Sequence, residues 1–156
     1  MTLMSSVGGA SGPLYGAFFL QSSHATLHKT ELGLADLTSA MEAGYRGVVQ
    51  LGKAAVGDKT MVDTLAAAVG SLRASCMHHE ALPTALKACR KAARLAAEGT
   101  IPMVAKKGRA SYIGERSAGT QDPGATSASL LIDSLAEAIL SLSPSSHTNA
   151  PNPILL

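Results

Sequence analysis

Three short stretches combine glycine with a helix start, and each can bring a ligand close to backbone N–H groups. The first is Gly8-Gly9-Ala10-Ser11-Gly12-Pro13, where residues with little or no side chain lead directly into an apolar segment. A helix N-terminus of this kind presents unpaired N–H donors and the positive end of the helix dipole, the usual elements of a phosphate cradle. It is not a Walker A loop, because no Lys-Ser or Lys-Thr follows the last glycine. Gly57-Asp58-Lys59-Thr60 is the second, with Thr60 and Asp63 spaced like a weak capping box. Asp122-Pro123-Gly124 is the third, with Asp122 as cap and Pro123 at the first helical position. Capping alone explains each stretch. Three in one chain raise the further reading that they converge at one end of a bundle.

Charge is concentrated in two places. Lys106, Lys107, Arg109 and Arg116 stand close to Ser111 and Tyr112 in a Gly/Ser-rich stretch. A guanidinium there can clamp a phosphate through two parallel hydrogen bonds, so the stretch suits a nucleotide or another anion, with a solvated basic loop as the alternative. Lys87, Arg90, Lys91 and Arg94 share one helix face, which reads as the wet side of an amphipathic helix or as a docking patch for an acidic partner. His24 and His28, and the run His78-His79-Glu80, have metal-ligand chemistry but no complete ligand set at a recognisable spacing. Cys76 and Cys89 lack CxxC spacing and read as core residues. No nucleophile has an obvious neighbouring base, so covalent hydrolytic catalysis finds no support.

Helices must position these groups. Leu37, Met41, Tyr45 and Val48 recur at steps of three and four from Leu34 to near Gly52. Met61, Leu65, Val69, Leu72 and Cys76 form a second such face, and Leu82, Leu86, Cys89 and Ala93 a third, with Pro83 in its first turn and an end near Gly99. An earlier helix is predicted from Pro13, with Ser11 or Gly12 as cap, through Leu14, Phe18 and Phe19 towards His28. A last one follows Asp122 and buries Leu131, Leu135, Ala138 and Leu142. Between Pro102 and Gly119 the pattern breaks into a long loop, and the stretch after Leu142, with three prolines, reads as a flexible tail.

The chain of 156 residues is the size of one domain, rich in Ala, Leu, Gly and Ser, with no Trp, three Tyr and two Phe. A core of small aliphatic side chains favours closely packed helices, so the fold class is all-α. A net charge of +2 from nearly balanced acids and bases argues against nucleic acid as a partner. The strongly apolar run from Pro13 to Leu20 falls short of the roughly 18 residues that a membrane span needs, so no membrane partner is expected. Two unpaired cysteines and no signal-like start suit a reducing, cytoplasmic setting.

Taken in order and at their separations, MSSVGGASGPLYGAFF, GKAAVGDKTMVDTL and KKGRASYIGERSAGTQDPGATS closely resemble the nucleotide-binding L subunit of dihydroxyacetone kinase, over residues 1–142. The style of the last block is that of the separate subunit of the bacterial phosphotransferase system. The resemblance implies an antiparallel barrel of eight amphipathic helices, with a nucleotide and two Mg²⁺ ions at one end. It implies bound ADP as a coenzyme, phosphorylated by a phosphohistidine donor protein and passing the phosphoryl group to dihydroxyacetone held on a dihydroxyacetone-binding kinase subunit. Carried over by position, the nucleotide contacts are Ala10, Ser11, Gly52, Met61, Arg109, Asp122, Pro123 and Gly124. No catalytic residue is carried over. An ATP-dependent dihydroxyacetone kinase domain, or a non-catalytic remnant that keeps only partner docking, are the alternatives.

Family members carry two further helices and a GDGDxG-like loop, whose aspartates hold magnesium, ahead of the point matching Met1. The first acidic residue here is Glu31. About six of the eight helices and no metal ligands are therefore expected, in a domain over 1–143 followed by a tail over 144–156. Two uncovered apolar stripes would then favour self-association. A fragment, a misassigned start and a degenerate copy all fit these features.

Overall fold

The structure is a computed structural model that describes residues 10–142. Among them are five α-helices and one 3-10 helical segment, and no strand: α1 (Ser11–Ala25), α2 (Leu34–Gly52), α3 (Met61–Met77), α4 (Leu82–Gly99), the 3-10 segment (Arg109–Ser117) and α5 (Pro123–Leu142). Gly8, Gly9 and the tail expected over 144–156 lie outside the described residues.

Helices α2, α3 and α4 have the bounds that their apolar periodicity predicts. On α2 the stripe buries Met41 and Val48, with Leu37 and Tyr45 half-covered at its edge. Leu65, Val69 and Leu72 of α3 lie opposite Leu86, Cys89 and Ala93 of α4 in the core. Cys89 is packed there as a small hydrophobe, and burial pushes its thiol up to about 11. Successive helices pack on one another along the chain, and α5 returns to cover α3 and α4.

The α1–α2 contact depends on two glycines. A Cβ at Gly44 would stand 2.4 Å from Ser22 Oγ and 2.7 Å from Phe18 Cδ2, and one at Gly47 would stand 2.8 Å from Gln21 Cγ and 3.1 Å from the Ala17 carbonyl. Any larger residue there would push the two helices apart, which explains how Phe18 becomes buried between them.

Three sequence expectations need correction. Ser11 is already helical, and Ala10 takes the cap position without a side-chain bond, so Pro13 falls at the third position of α1. Proline is tolerated there because its missing N–H would have no partner within the helix. The helix also stops at Ala25, and His28 adopts the left-handed backbone (φ 65°) in the turn that follows.

The loop between Pro102 and Gly119 contains 3-10 turns. Arg109–Ser117 is held by i to i+3 bonds, Ser111 N–H to the Gly108 carbonyl and Ala118 N–H to that of Glu115, and is kinked at Gly114 (φ 57°).

The buried face of α5 is also different. Ala125, Ala128, Ile132 and Ala136 are buried, whereas Leu135 and Leu142 are exposed. The small alanines let α5 lie close against α3 and α4, and the leucine stripe is rotated off that contact. By length and composition α5 is long and apolar enough to cross a membrane, because its solvent side is apolar too. Leu130 on that side is 63% exposed, and Phe19 of α1 is 42% exposed. Between α1 and α5 lies a shallow, mostly apolar hollow of about 340 Å³ lined by Tyr15, Phe19, Ser127, Leu130, Leu131 and Ser134.

Candidate functional site

The end of the bundle where α1, α3 and α5 begin, and where α2 and α4 finish, gathers the glycine-bearing helix starts. A Cβ at Gly52, the last residue of α2, would stand 3.1 Å from Leu14 Cδ2 in the first turn of α1. At Gly124 it would stand 2.9 Å from Asp122 Oδ2 and 3.3 Å from the Met61 nitrogen, so the first turns of α3 and α5 touch backbone to backbone. Met61 is buried beneath that contact. Asp122 N–H donates to Thr100 Oγ1 (3.0 Å) just past the end of α4, and Thr64 Oγ1 of α3 donates to the Ala125 carbonyl (3.2 Å). The tyrosine hydroxyl of Tyr15 lies 2.7 Å from Ser127 Oγ, which links α1 to α5.

The three aspartates at this end are engaged by backbone. Asp63 accepts from Gly57 N–H (2.6 Å) and Thr60 N–H (2.8 Å), and Val62 N–H donates to Thr60 Oγ1 (3.1 Å), completing the capping box that the sequence suggested. Asp58 accepts from Ala55 N–H (2.9 Å). Asp122 accepts from Ala125 N–H (2.7 Å) as the cap of α5. Burial holds the Asp122 carboxyl above the ordinary carboxylate range. The Ala125 and Gly124 N–H groups and nearby Lys59 oppose the rise, and Asp63 adds to it. Burial also raises the Tyr15 phenol, with its Ser127 bond opposing and Asp122 contributing.

These carboxylates cap helices and turns. Among the described residues no group of three or more His, Cys, Asp or Glu is placed to hold a metal ion. His78 ends α3, His79 turns the chain with φ 52°, and Glu80 accepts from Ser75 Oγ (2.7 Å).

Of the residues marked from sequence, Gly52, Met61, Asp122, Pro123 and Gly124 sit at this end, and Ala10 and Ser11 open α1 beside it. Ser11 is half-buried and Ala10 exposed. Arg109 begins the 3-10 segment, exposed, and like Lys106, Lys107 and Arg116 it makes no hydrogen bond or ion pair through its side chain to another described residue. Their loop is anchored at the same end: Lys106 N–H donates to the Asp58 carbonyl (3.1 Å) and Gly119 N–H to that of Ile101 (2.8 Å). The arrangement offers helix N-termini, close backbone and uncommitted cations, which suits a phosphorylated anion.

Sequence reasoning passed over Lys59, whose side chain is fully buried and hydrogen-bonded to the carbonyls of Met103, Ser117 and Thr120. A lysine in a polar turn gives no sign of burial. The one hint is its place between Gly57 and a capping threonine.

The second basic set lies elsewhere. Lys87, Arg90, Lys91 and Arg94 line a cleft of about 580 Å³ between α4 and α5, where Arg90 pairs with Asp133 and Glu137. It is open to solvent and contains none of the glycine-bearing motifs.

A family model described as the DAK2 domain matches residues 1–137. The chain is 51% identical over 136 residues to the PEP-dependent dihydroxyacetone kinase, ADP-binding subunit DhaL of Escherichia coli (strain K12), covering 87% of this chain and 65% of that protein. It is 41% identical over 139 residues to the PTS-dependent dihydroxyacetone kinase, ADP-binding subunit DhaL of Lactococcus lactis, covering 89% and 64%. The crystal structure of the dihydroxyacetone kinase of C. freundii in its native form superposes with a TM-score of 0.62 at 28% identity, over 87% of this chain and 22% of that one. The chain thus spans slightly under two thirds of the length of these two curated relatives.

Proposed function

The chain belongs to the DAK2 domain family, and on that premise we propose that it is the nucleotide-binding part of a dihydroxyacetone kinase that uses ADP as a coenzyme. The observation that carries this reading is the meeting of the α3 and α5 N-termini, with Gly124 against Met61, at the end where the basic loop is anchored. In this reading the diphosphate lies near the starts of α1, α3 and α5, where N–H donors and helix dipoles favour negative charge. Arg109 contributes a guanidinium to it. Bound ADP accepts a phosphoryl group from a phosphohistidine on a donor protein of the phosphotransferase system. It passes that group to dihydroxyacetone held on a separate kinase subunit, as a step in glycerol and dihydroxyacetone metabolism in the cytoplasm. The chain's own task is to hold the nucleotide and orient it between two partners.

An ATP-dependent kinase domain is the second reading. The 51% identity to an ADP-binding subunit, against 28% to the longer C. freundii kinase chain, favours the coenzyme form.

In the family, Mg²⁺ neutralises phosphate charge, a function that the described carboxylates do not supply here. The 156-residue chain is therefore expected to bind ADP weakly and with little dependence on magnesium. Titration calorimetry with and without Mg²⁺ tests this. Absence of any ADP binding would overturn the nucleotide reading, and tight magnesium-dependent binding would overturn the account of the metal. The apolar hollow between α1 and α5 makes self-association the expected behaviour of the isolated chain, which light scattering on the same samples would detect.

A further inference from the structure

Among the described residues, Lys59 is the one cation of the nucleotide end that is buried. It lies in the turn between α2 and α3, with its backbone in the left-handed region (φ 60°) and its side chain 2% exposed. Its Nζ donates to the carbonyls of Met103 (3.0 Å), Ser117 (2.6 Å) and Thr120 (2.7 Å). An ammonium has three donors and no acceptor, so these three oxygens satisfy it completely. They are also far from Lys59 in sequence. Met103 lies at the start of the basic loop, Ser117 is the last residue of its 3-10 segment, and Thr120 follows that segment.

Lys59 therefore closes the base of the loop and ties both of its feet to the turn that starts α3. Two weaker ties run beside it, Lys106 N–H to the Asp58 carbonyl (3.1 Å) and Ala105 N–H to Ser117 Oγ (2.9 Å). Asp122, the cap of α5, is close enough for its carboxyl to feel the Lys59 charge. One side chain thus connects the turn before α3, both feet of the basic loop and the start of α5. A planar guanidinium spreads its donors in a fork and would not match three oxygens converging on one point.

We propose that Lys59 is a positioning residue of the nucleotide site: by clasping both feet of the basic loop it fixes Arg109 relative to the starts of α3 and α5. The proposal rests on the nucleotide reading above. Lys59 itself reaches no ligand, since its three donors are occupied below the surface. It acts through the loop.

The test uses the full chain with Lys59→Met, which keeps an unbranched stem and removes all three donors. Trypsin provides a local probe, because Lys106, Lys107, Arg109 and Arg116 are all cleavage sites within the clasped loop. The variant is expected to keep its helical circular dichroism while its loop is cut about tenfold faster or more, and to lose about tenfold in ADP affinity. Arg109→Ala added to Lys59→Met should then cost little more, because residues acting through one contact are not additive. A loop cut at the wild-type rate, or fully additive effects on ADP affinity, would overturn the proposal. If Lys59→Met does not fold, Lys59→Gln, with two N–H donors on a shorter stem, is read by the same criteria. A wild-type chain that binds no ADP removes the nucleotide reading and the positioning role with it, whereas the rate of loop cutting still decides the clasp.

Discussion

The floor of the candidate site and its rim use polar groups in opposite ways. In the floor, Lys59 and Asp63 are buried and Asp122 is half-buried, and each is hydrogen-bonded to backbone. On the rim, Lys106, Lys107, Arg109 and Arg116 project from an anchored loop without a side-chain partner among the described residues. Buried polar groups need partners to offset their desolvation, whereas an exposed cation keeps its hydration and stays available to a ligand. The difference separates two kinds of residue that look alike in sequence. Substitutions of the floor aspartates should change stability, rim substitutions should change binding, and Lys59 should reach binding only through the loop it clasps.

A core substitution outside both regions sets the scale. Met41 is buried in α2, so Met41→Ala should lower stability by roughly 2–5 kcal/mol, read as a shift of the denaturation midpoint. Unchanged melting would mean that the α2 face is misplaced. On the rim, Arg109→Ala should leave the melting temperature alone and weaken ADP binding by about tenfold or more, since a charge-assisted hydrogen bond contributes about 1.5–3 kcal/mol. Equal affinity by calorimetry would break the comparison at its most exposed point.

In the floor, Asp63→Ala removes the acceptor of both Gly57 and Thr60 N–H, and should cost about 1–3 kcal/mol of stability. A variant that melts like wild type would show that the turn before α3 carries no load. The smallest effect is expected at Asp122. Burial raises its carboxyl above the ordinary aspartate value of 3.8, so the folded state binds its proton more tightly than the unfolded chain does. Its contribution to stability therefore falls as pH rises from about that value through the raised one. Asp122→Asn keeps an oxygen to cap Ala125 N–H and escapes this loss. The variant should match or slightly exceed wild-type stability at neutral pH, with the difference shrinking on acidification towards pH 3.8. A variant clearly less stable at neutral pH would show that the negative charge itself is needed at the cap.

Much of the scaffold was legible because helical periodicity is a local property. Leu65, Val69 and Leu72 mark the buried face of α3 by spacing alone, and the pairing of Thr60 with Asp63 foretells its cap. The buried side of α5 was misread for a physical reason. Leu131, Leu135 and Leu142 form the larger apolar stripe, yet Ala125, Ala128 and Ala136 allow the closer approach to α3 and α4. The closure of the basic loop was hidden as well, since it uses Lys59, more than forty residues upstream of Met103. For the site, Asp122 and Gly124 were found as a helix start, and the structure adds that Gly124 abuts Met61. No spacing rule can place two distant helix starts side by side, and none can show that a lysine in a polar turn is buried.

The most direct test of the nucleotide site is to map it on the 156-residue chain by amide chemical shifts during an ADP titration. The account predicts that the largest shifts fall at Ser11, Met61, Gly124 and Arg109, with fast exchange and little change on adding Mg²⁺. Shifts centred instead on Lys87, Lys91 and Arg94, in the cleft between α4 and α5, would contradict it.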